Sequence, residues 1–308
     1  MSLTDNTPVL LCHVACSGGS VIFRTLCQRF DLWGLSEVSQ FFRFRDGKKP
    51  FSPYDPQALL YFNDWLDDNE LEEEFKARIA RSFELATRKQ KRLLIREHTH
   101  SLFFQQDIQM KEDGYSWILN RSEELFGQSC KTIFTFRDPV DSWLGMQHSF
   151  PHNNSYSFDE YCRRYNRVYD FVERQSQESP EKISLFKYED FVTDTDSVIQ
   201  NVSSTLGLDL GQNSEPQIVS TGNSGRQSNK IGKRSRRSYS IEFLNSAVNS
   251  PEYARLVERL DYDNCATTVD ASTRAKARFN SVRKKVLNKV LGMGKAGQKF
   301  FKNMSVAD

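Results

Sequence analysis

Four short apolar runs separated by helical spacing constrain this chain more than any other feature. Val9 to Val14 (VLLCHV), Arg92 to Glu97 (RLLIRE), Lys131 to Phe136 (KTIFTF) and Lys182 to Tyr188 (KISLFKY) have the length and apolar density of core strands. After the first run, ACSGGS leads into Ile22, Leu26 and Phe30 at four-residue spacing, which predicts strand, glycine loop, helix. Leu71, Phe75, Ile79 and Phe83 form one stripe of a helix expected over Asp55 to Phe83. The third run meets Asp138, a natural N-cap, and Pro139, suited to the first helical position. After the fourth, Thr193 to Asp196 can cap a helix with the stripe Val198, Val202 and Leu206, which stops near Gly207. Strands alternating with helices imply an α/β fold, a doubly wound and mostly parallel sheet flanked by helices. Trp33 to Phe51 carries neither period and reads as irregular.

Charge divides the chain. The formal net charge is +2, yet Arg274 to Lys302 holds ten Lys and Arg and no Asp or Glu, which leaves residues 1–273 at a net charge of −7. A domain over 1–273 followed by a basic helical tail over 274–308 is the expected organisation. The tail's stripe of Phe279, Val282, Val286, Val290 and Met293 suits packing on the acidic body or lying on an anionic membrane surface. With little aromatic interleaving and an acidic body, nucleic acid is not an expected partner. The acidic run DWLDDNELEEE reads as a solvated helix face. Six cysteines without a CxxC pair read as reduced thiols of a cytoplasmic protein. No run approaches the roughly 20 apolar residues of a membrane-spanning helix, and the polar start MSLTDNTP has no secretory character. Localisation is expected to be cytoplasmic, with the inner membrane surface reachable through the tail.

Three elements at strand ends can carry chemistry. In Ala15 to Ser20, two glycines allow a tight turn whose N–H groups, with the positive end of the following helix, make an anion cradle, and Ser17 and Ser20 add hydroxyls. At the end of the second run stand His98 and His100; imidazole is a natural base toward a hydroxyl, and no carboxylate or cysteine lies at zinc spacing. At the end of the third, Arg137, beside a helix N-terminus and Ser142, can grip a second phosphate. Open parallel sheets place their ligand crevice at such strand ends. GxxxxGK[ST], GxGxxG and GxSxG are all absent, which argues against ordinary ATPases, dinucleotide enzymes and serine hydrolases. A basic, Ser-, Gly- and Asn-rich segment at about 215–240 reads as a loop or linker.

In this order the motifs resemble the cytosolic sulfotransferase superfamily, whose P-loop-like α/β fold uses 3′-phosphoadenylyl sulfate (PAPS) as donor and releases adenosine 3′,5′-bisphosphate (PAP). HVACSGGSVIFRTL resembles its 5′-phosphosulfate loop, LIREH its strand ending in the catalytic histidine and TIFTFRDPVDSWLGM its 3′-phosphate segment. LFKYEDF is similar to the tyrosine-containing strand, and TGNSGRQSNKIGKRSRR occupies the place of the late nucleotide-covering loop. The resemblance implies that Ser17, Gly18, Gly19 and Ser20 hold the 5′-phosphosulfate and that Arg137 with Ser142 holds the 3′-phosphate. It also implies Tyr188 near the adenine, Arg226 reaching in from the late loop, and His98 as base for a hydroxyl or amine acceptor. No metal is implied.

Three positions depart from the family pattern. Cys16 stands where a lysine is usual, Gly145 where a serine is usual, and the late loop lacks the RKG form. Arg24, four residues after Ser20 on the expected helix, is the expected substitute for the lysine's charge. His98 is preferred to His100 because it directly ends the strand. An adenine-nucleotide phosphotransferase and a catalytically silent binding protein are the alternative functions. The acceptor is a small molecule, glycan or lipid; its identity and the oligomeric state are not legible in the sequence.

Overall fold

The first apolar run forms β1 (Val9–His13), and its side chains alternate between two cores. The computed structural model describes residues 5–14, 16–38, 67–97, 116–149, 157–211, 231–232, 236–237 and 239–262. From β1 the chain continues through α1 (Gly19–Arg29), β2 (Trp33–Val38), α2 (Asp68–Arg88), β3 (Leu93–Glu97), the short helices α3 (Trp117–Asn120) and α4 (Ser122–Phe126), and β4 (Lys131–Phe136). There follow α5 (Pro139–Ser149), α6 (Phe158–Glu178), β5 (Ile183–Lys187), α7 (Tyr188–Thr193), α8 (Thr195–Leu206), α9 (Ile241–Val248) and α10 (Pro251–Arg259).

The five strands pair in parallel in the order β2-β3-β1-β4-β5, with Leu11 opposite both Arg96 of β3 and Ile133 of β4. Because successive strand residues point to opposite faces, Val9 and Leu11 pack with Ile22 and Leu26 of α1 and with Ile199, Val202 and Leu206 of α8. Leu10 and Cys12 pack on the other face with Ile79 of α2, Trp143 and Met146 of α5, and Tyr161 and Tyr165 of α6. Burial of each such leucine is worth about 1.5–3 kcal/mol. Helices on both faces make the sheet doubly wound, as the sequence predicts. The strand order reverses at β1, which lies between β3 and β4. The crevice at the carboxyl ends of these three strands is therefore the topological switch point, where such sheets bind ligands.

The structure corrects several sequence expectations. Trp33–Val38 is an edge strand and not irregular: it pairs with β3, but Trp33 is 42% exposed and the register shifts between Ser36 and Val38, so no two-faced apolar run marks it. Tyr188 opens α7 and does not end the strand. Helix α2 starts at Asp68 because Asp67 caps it. The Asp67 carboxylate accepts the N–H groups of Asn69 and Glu70, and the Glu70 carboxylate accepts that of Asp67. Helices α6, α9 and α10 go beyond what was expected. Residues 39–66 and the tail over 274–308 lie outside the described residues. Among the described residues, no helix is long and apolar enough to cross a membrane.

Candidate functional site

The loop after β1 is wound tightly on itself. Both the N–H and the hydroxyl of Ser17 donate to the Val14 carbonyl, at 3.2 and 2.6 Å. Cys16 has φ 56° and Gly18 has φ 85°, two left-handed residues that turn the chain into α1. Gly18 and Gly19 are required for different neighbours. A Cβ on Gly18 would lie 2.2 Å from the Tyr188 ring, and one on Gly19 would lie 2.4 Å from Nε2 of the buried His13. Helix α1 begins with no side-chain cap and no acid in its first turn. Its first N–H groups therefore present the unsatisfied positive end of a helix at the mouth of the crevice.

Arg137 leaves the end of β4 toward this loop. Its Nη1 donates to the Cys16 carbonyl at 2.8 Å, and its guanidinium lies over the Tyr188 ring at 4.8 Å. Its buried Nε has no hydrogen-bond partner among the described residues. The next residue, Asp138, caps α5 as expected: its Oδ1 accepts the Asp141 N–H at 2.9 Å. Burial pushes the Asp138 carboxyl above its usual range, although Arg236 lies beside it. Arg236 donates to Asp138 Oδ2 at 2.7 Å and to Asp141 Oδ1 at 3.0 Å, which ties the end of the late basic segment to the first turn of α5.

The structure thus brings together the Ser17–Ser20 loop, Arg137 and Tyr188, which lie in three separate stretches of the sequence. Other expectations change. Ser142 is fully buried, so its hydroxyl offers no surface to a phosphate here. The Ser17 hydroxyl is likewise buried and committed to Val14, which makes it a shaping group of the loop. Arg24 is half-buried one turn beyond Ser20. The guanidinium that reaches the Ser20 hydroxyl is that of Arg96, a buried residue of β3 whose Nη1 donates at 2.7 Å. Sequence reasoning missed Arg96 because RLLIRE reads as an apolar strand; an arginine inside that strand was the available signal. His98, His100 and Arg226 lie outside the described residues. Burial pushes the Cys16 thiol up, against the influence of Arg137 and Arg237, so it stays protonated at neutral pH.

Strand order, the glycine loop after β1 and the Arg137 guanidinium beside it define a class of α/β protein with these groups gathered at its topological switch point. The sequence pattern of the Sulfotransferase family matches residues 14–212, more than half of the 308-residue chain, and the chain belongs to that family. No curated protein matches it. Among solved structures, it is similar to the sulfotransferase domain from the curacin biosynthetic pathway, with 16% identity over 83% of this chain and 98% of that one and a TM-score of 0.47. It is also similar to the sulfotransferase domain of the Synechococcus PCC 7002 olefin synthase, with 17% identity, 83% and 95% coverage and a TM-score of 0.48. For mouse sulfotransferase SULT7A1 complexed with PAP the values are 12% identity, 90% coverage of each chain and a TM-score of 0.38.

Proposed function

We propose that this protein moves a sulfuryl group from PAPS to a hydroxyl or amine acceptor. The observation that carries the reading is the convergence, at the ends of adjacent strands, of an uncapped helix N-terminus and an arginine whose buried Nε lacks a partner among the described residues. Two anion sites of this kind fit the two phosphate-bearing ends of a 3′,5′-substituted adenosine. The donor supplies the sulfuryl group on a phosphate leaving group. The N–H groups of Gly18, Gly19 and Ser20, with the Ser20 hydroxyl, hold the 5′ end, and Arg137 holds the 3′-phosphate. Tyr188, stacked under Arg137, borders the adenine side.

His98 directly follows the last residue of β3 and acts as base. As the acceptor oxygen or nitrogen forms its bond to sulfur, its proton passes to the imidazole. The bond from sulfur to the bridging oxygen breaks, and the electron pair stays on the departing phosphate, where the α1 N-terminus stabilises it. Such a base is worth about 10²- to 10⁴-fold in rate. A second reading, a silent nucleotide-binding protein, is favoured by one observation: the neutral Cys16 thiol in the loop.

Thermal shift without added metal tests the donor site, with PAP compared against ATP, ADP and AMP. At about 100 times its dissociation constant, PAP adds about 2.7 kcal/mol to the folded state, and selective stabilisation by PAP is expected. Stabilisation by ATP alone points to phosphoryl transfer, and no stabilisation by any of the four removes the nucleotide site. Stabilisation by PAP without turnover in a broad acceptor screen favours the silent reading.

A further inference from the structure

Arg137 is the first residue past β4, where the sheet ladder has ended: β1 pairs with β4 only as far as Thr135 and β5 only as far as Phe136. Its peptide groups need partners elsewhere, and one side chain serves both. The Arg137 N–H donates to the Tyr165 hydroxyl at 2.9 Å, and that hydroxyl donates back to the Arg137 carbonyl at 2.8 Å. Tyr165 is fully buried on α6, with its ring 5.7 Å from that of Phe136 and 5.9 Å from that of Tyr161. The next N–H, that of Asp138, donates to Glu189 Oε1 at 3.2 Å, and Glu189 Oε2 accepts the Tyr262 hydroxyl at 2.6 Å. Three consecutive backbone groups at the root of the Arg137 side chain are thus held by side chains from α6 and α7.

We infer that Tyr165 and Glu189 are positioning residues that fix the aim of Arg137 and so set the preference for a 3′-phosphorylated nucleotide over its 5′-monophosphate counterpart. This rests on the proposed reading in which Arg137 takes the 3′-phosphate. An arginine side chain loses much rotamer freedom when it grips a ligand. A clamped root removes part of that cost in advance and leaves the guanidinium between the Cys16 carbonyl and the Tyr188 ring. Neither residue needs to touch the nucleotide.

Titration calorimetry with PAP and with adenosine 5′-monophosphate tests this on wild type, Arg137→Ala, Tyr165→Phe, Glu189→Ala and Tyr165→Phe/Arg137→Ala. The readout is the ratio of the two affinities, which a general loss of stability does not move. Arg137→Ala is expected to lose most of the preference for PAP. Tyr165→Phe and Glu189→Ala are each expected to lower it about tenfold while monophosphate affinity stays within about twofold. The double variant is expected to fall no lower than Arg137→Ala alone, because the clamp acts through that residue. If Tyr165→Phe does not fold, Glu189→Ala decides alone. A wild-type ratio in the clamp variants, with the ratio lost in Arg137→Ala, overturns the inference and leaves the donor reading intact. A wild-type ratio in Arg137→Ala overturns both.

Discussion

The Cβ of Cys16 occupies the space that a side chain at position 145 needs: a Cβ built on Gly145 would lie 3.1 Å from it. Gly145 of α5 therefore packs directly against position 16 of the glycine loop, a contact that any side chain with a Cβ at position 16 would make. The close approach lets α5 pack against the loop, and Ser149, at the end of α5, opposes the upward push of burial on the Cys16 thiol. Gly145→Ser is expected to cost about 1–3 kcal/mol by overpacking. Cys16→Gly suits the left-handed φ of 56° and removes the obstructing atom. The double variant should accordingly be less destabilised than the sum of the two. Chemical denaturation of the four proteins measures the coupling, and additive effects would contradict the contact.

Arg96 of β3 and Ser20 join the strand to the glycine loop through a 2.7 Å hydrogen bond. Because the Ser20 hydroxyl accepts from a guanidinium, its own proton is the donor it can turn toward a 5′-phosphate, and a charge-assisted bond of this type is worth about 1.5–3 kcal/mol. Arg96→Gln is expected to weaken PAP binding about tenfold while leaving adenosine 3′-monophosphate, which lacks the 5′ group, unaffected. Adding Ser20→Ala to Arg96→Gln is expected to cost little more. Parallel titrations with the two nucleotides check both statements.

Glu189 predicts a pH signature. Burial is the largest influence on its carboxyl and raises it above the ordinary glutamate range, in spite of the hydrogen bonds from Tyr262 and Asp138. A carboxyl raised in the folded state binds its proton more tightly there than in the unfolded chain. The wild type therefore loses stability as pH rises from the ordinary glutamate range through the folded value. Glu189→Gln does not titrate, so its unfolding temperature should gain on that of the wild type between pH 4 and 8, conditions chosen to span about four units above the unfolded value. A constant difference across that range would contradict the assignment.

What the sequence made legible follows from burial. The strands β1, β3 and β4 are packed on both faces, and such strands read as continuous apolar runs; α8 shows its stripe and ends at the left-handed Gly207. The edge strand β2 lacks that signature because Trp33 faces solvent and Gly34 packs closely on α1, where a Cβ would meet Phe23 at 2.5 Å. Within the candidate site, the glycine loop, Arg137 and Tyr188 are each a local signal at a strand end, and the structure brings them together. Tyr165, Glu189 and Arg96 are not local signals, since their roles depend on contacts across 28, 51 and 76 residues of chain with Arg137, Asp138 and Ser20. Ser142 looked available because helical spacing alone does not say which face of α5 the core covers.

The most direct test of the central claim is the structure of this protein bound to PAP. The 5′-phosphate oxygens are expected at about 2.7–3.2 Å from the N–H groups of Gly18, Gly19 and Ser20, with the 3′-phosphate on the Arg137 guanidinium. A nucleotide seated away from the ends of β1 and β4, or one whose 3′-phosphate leaves Arg137 untouched, would contradict the claim.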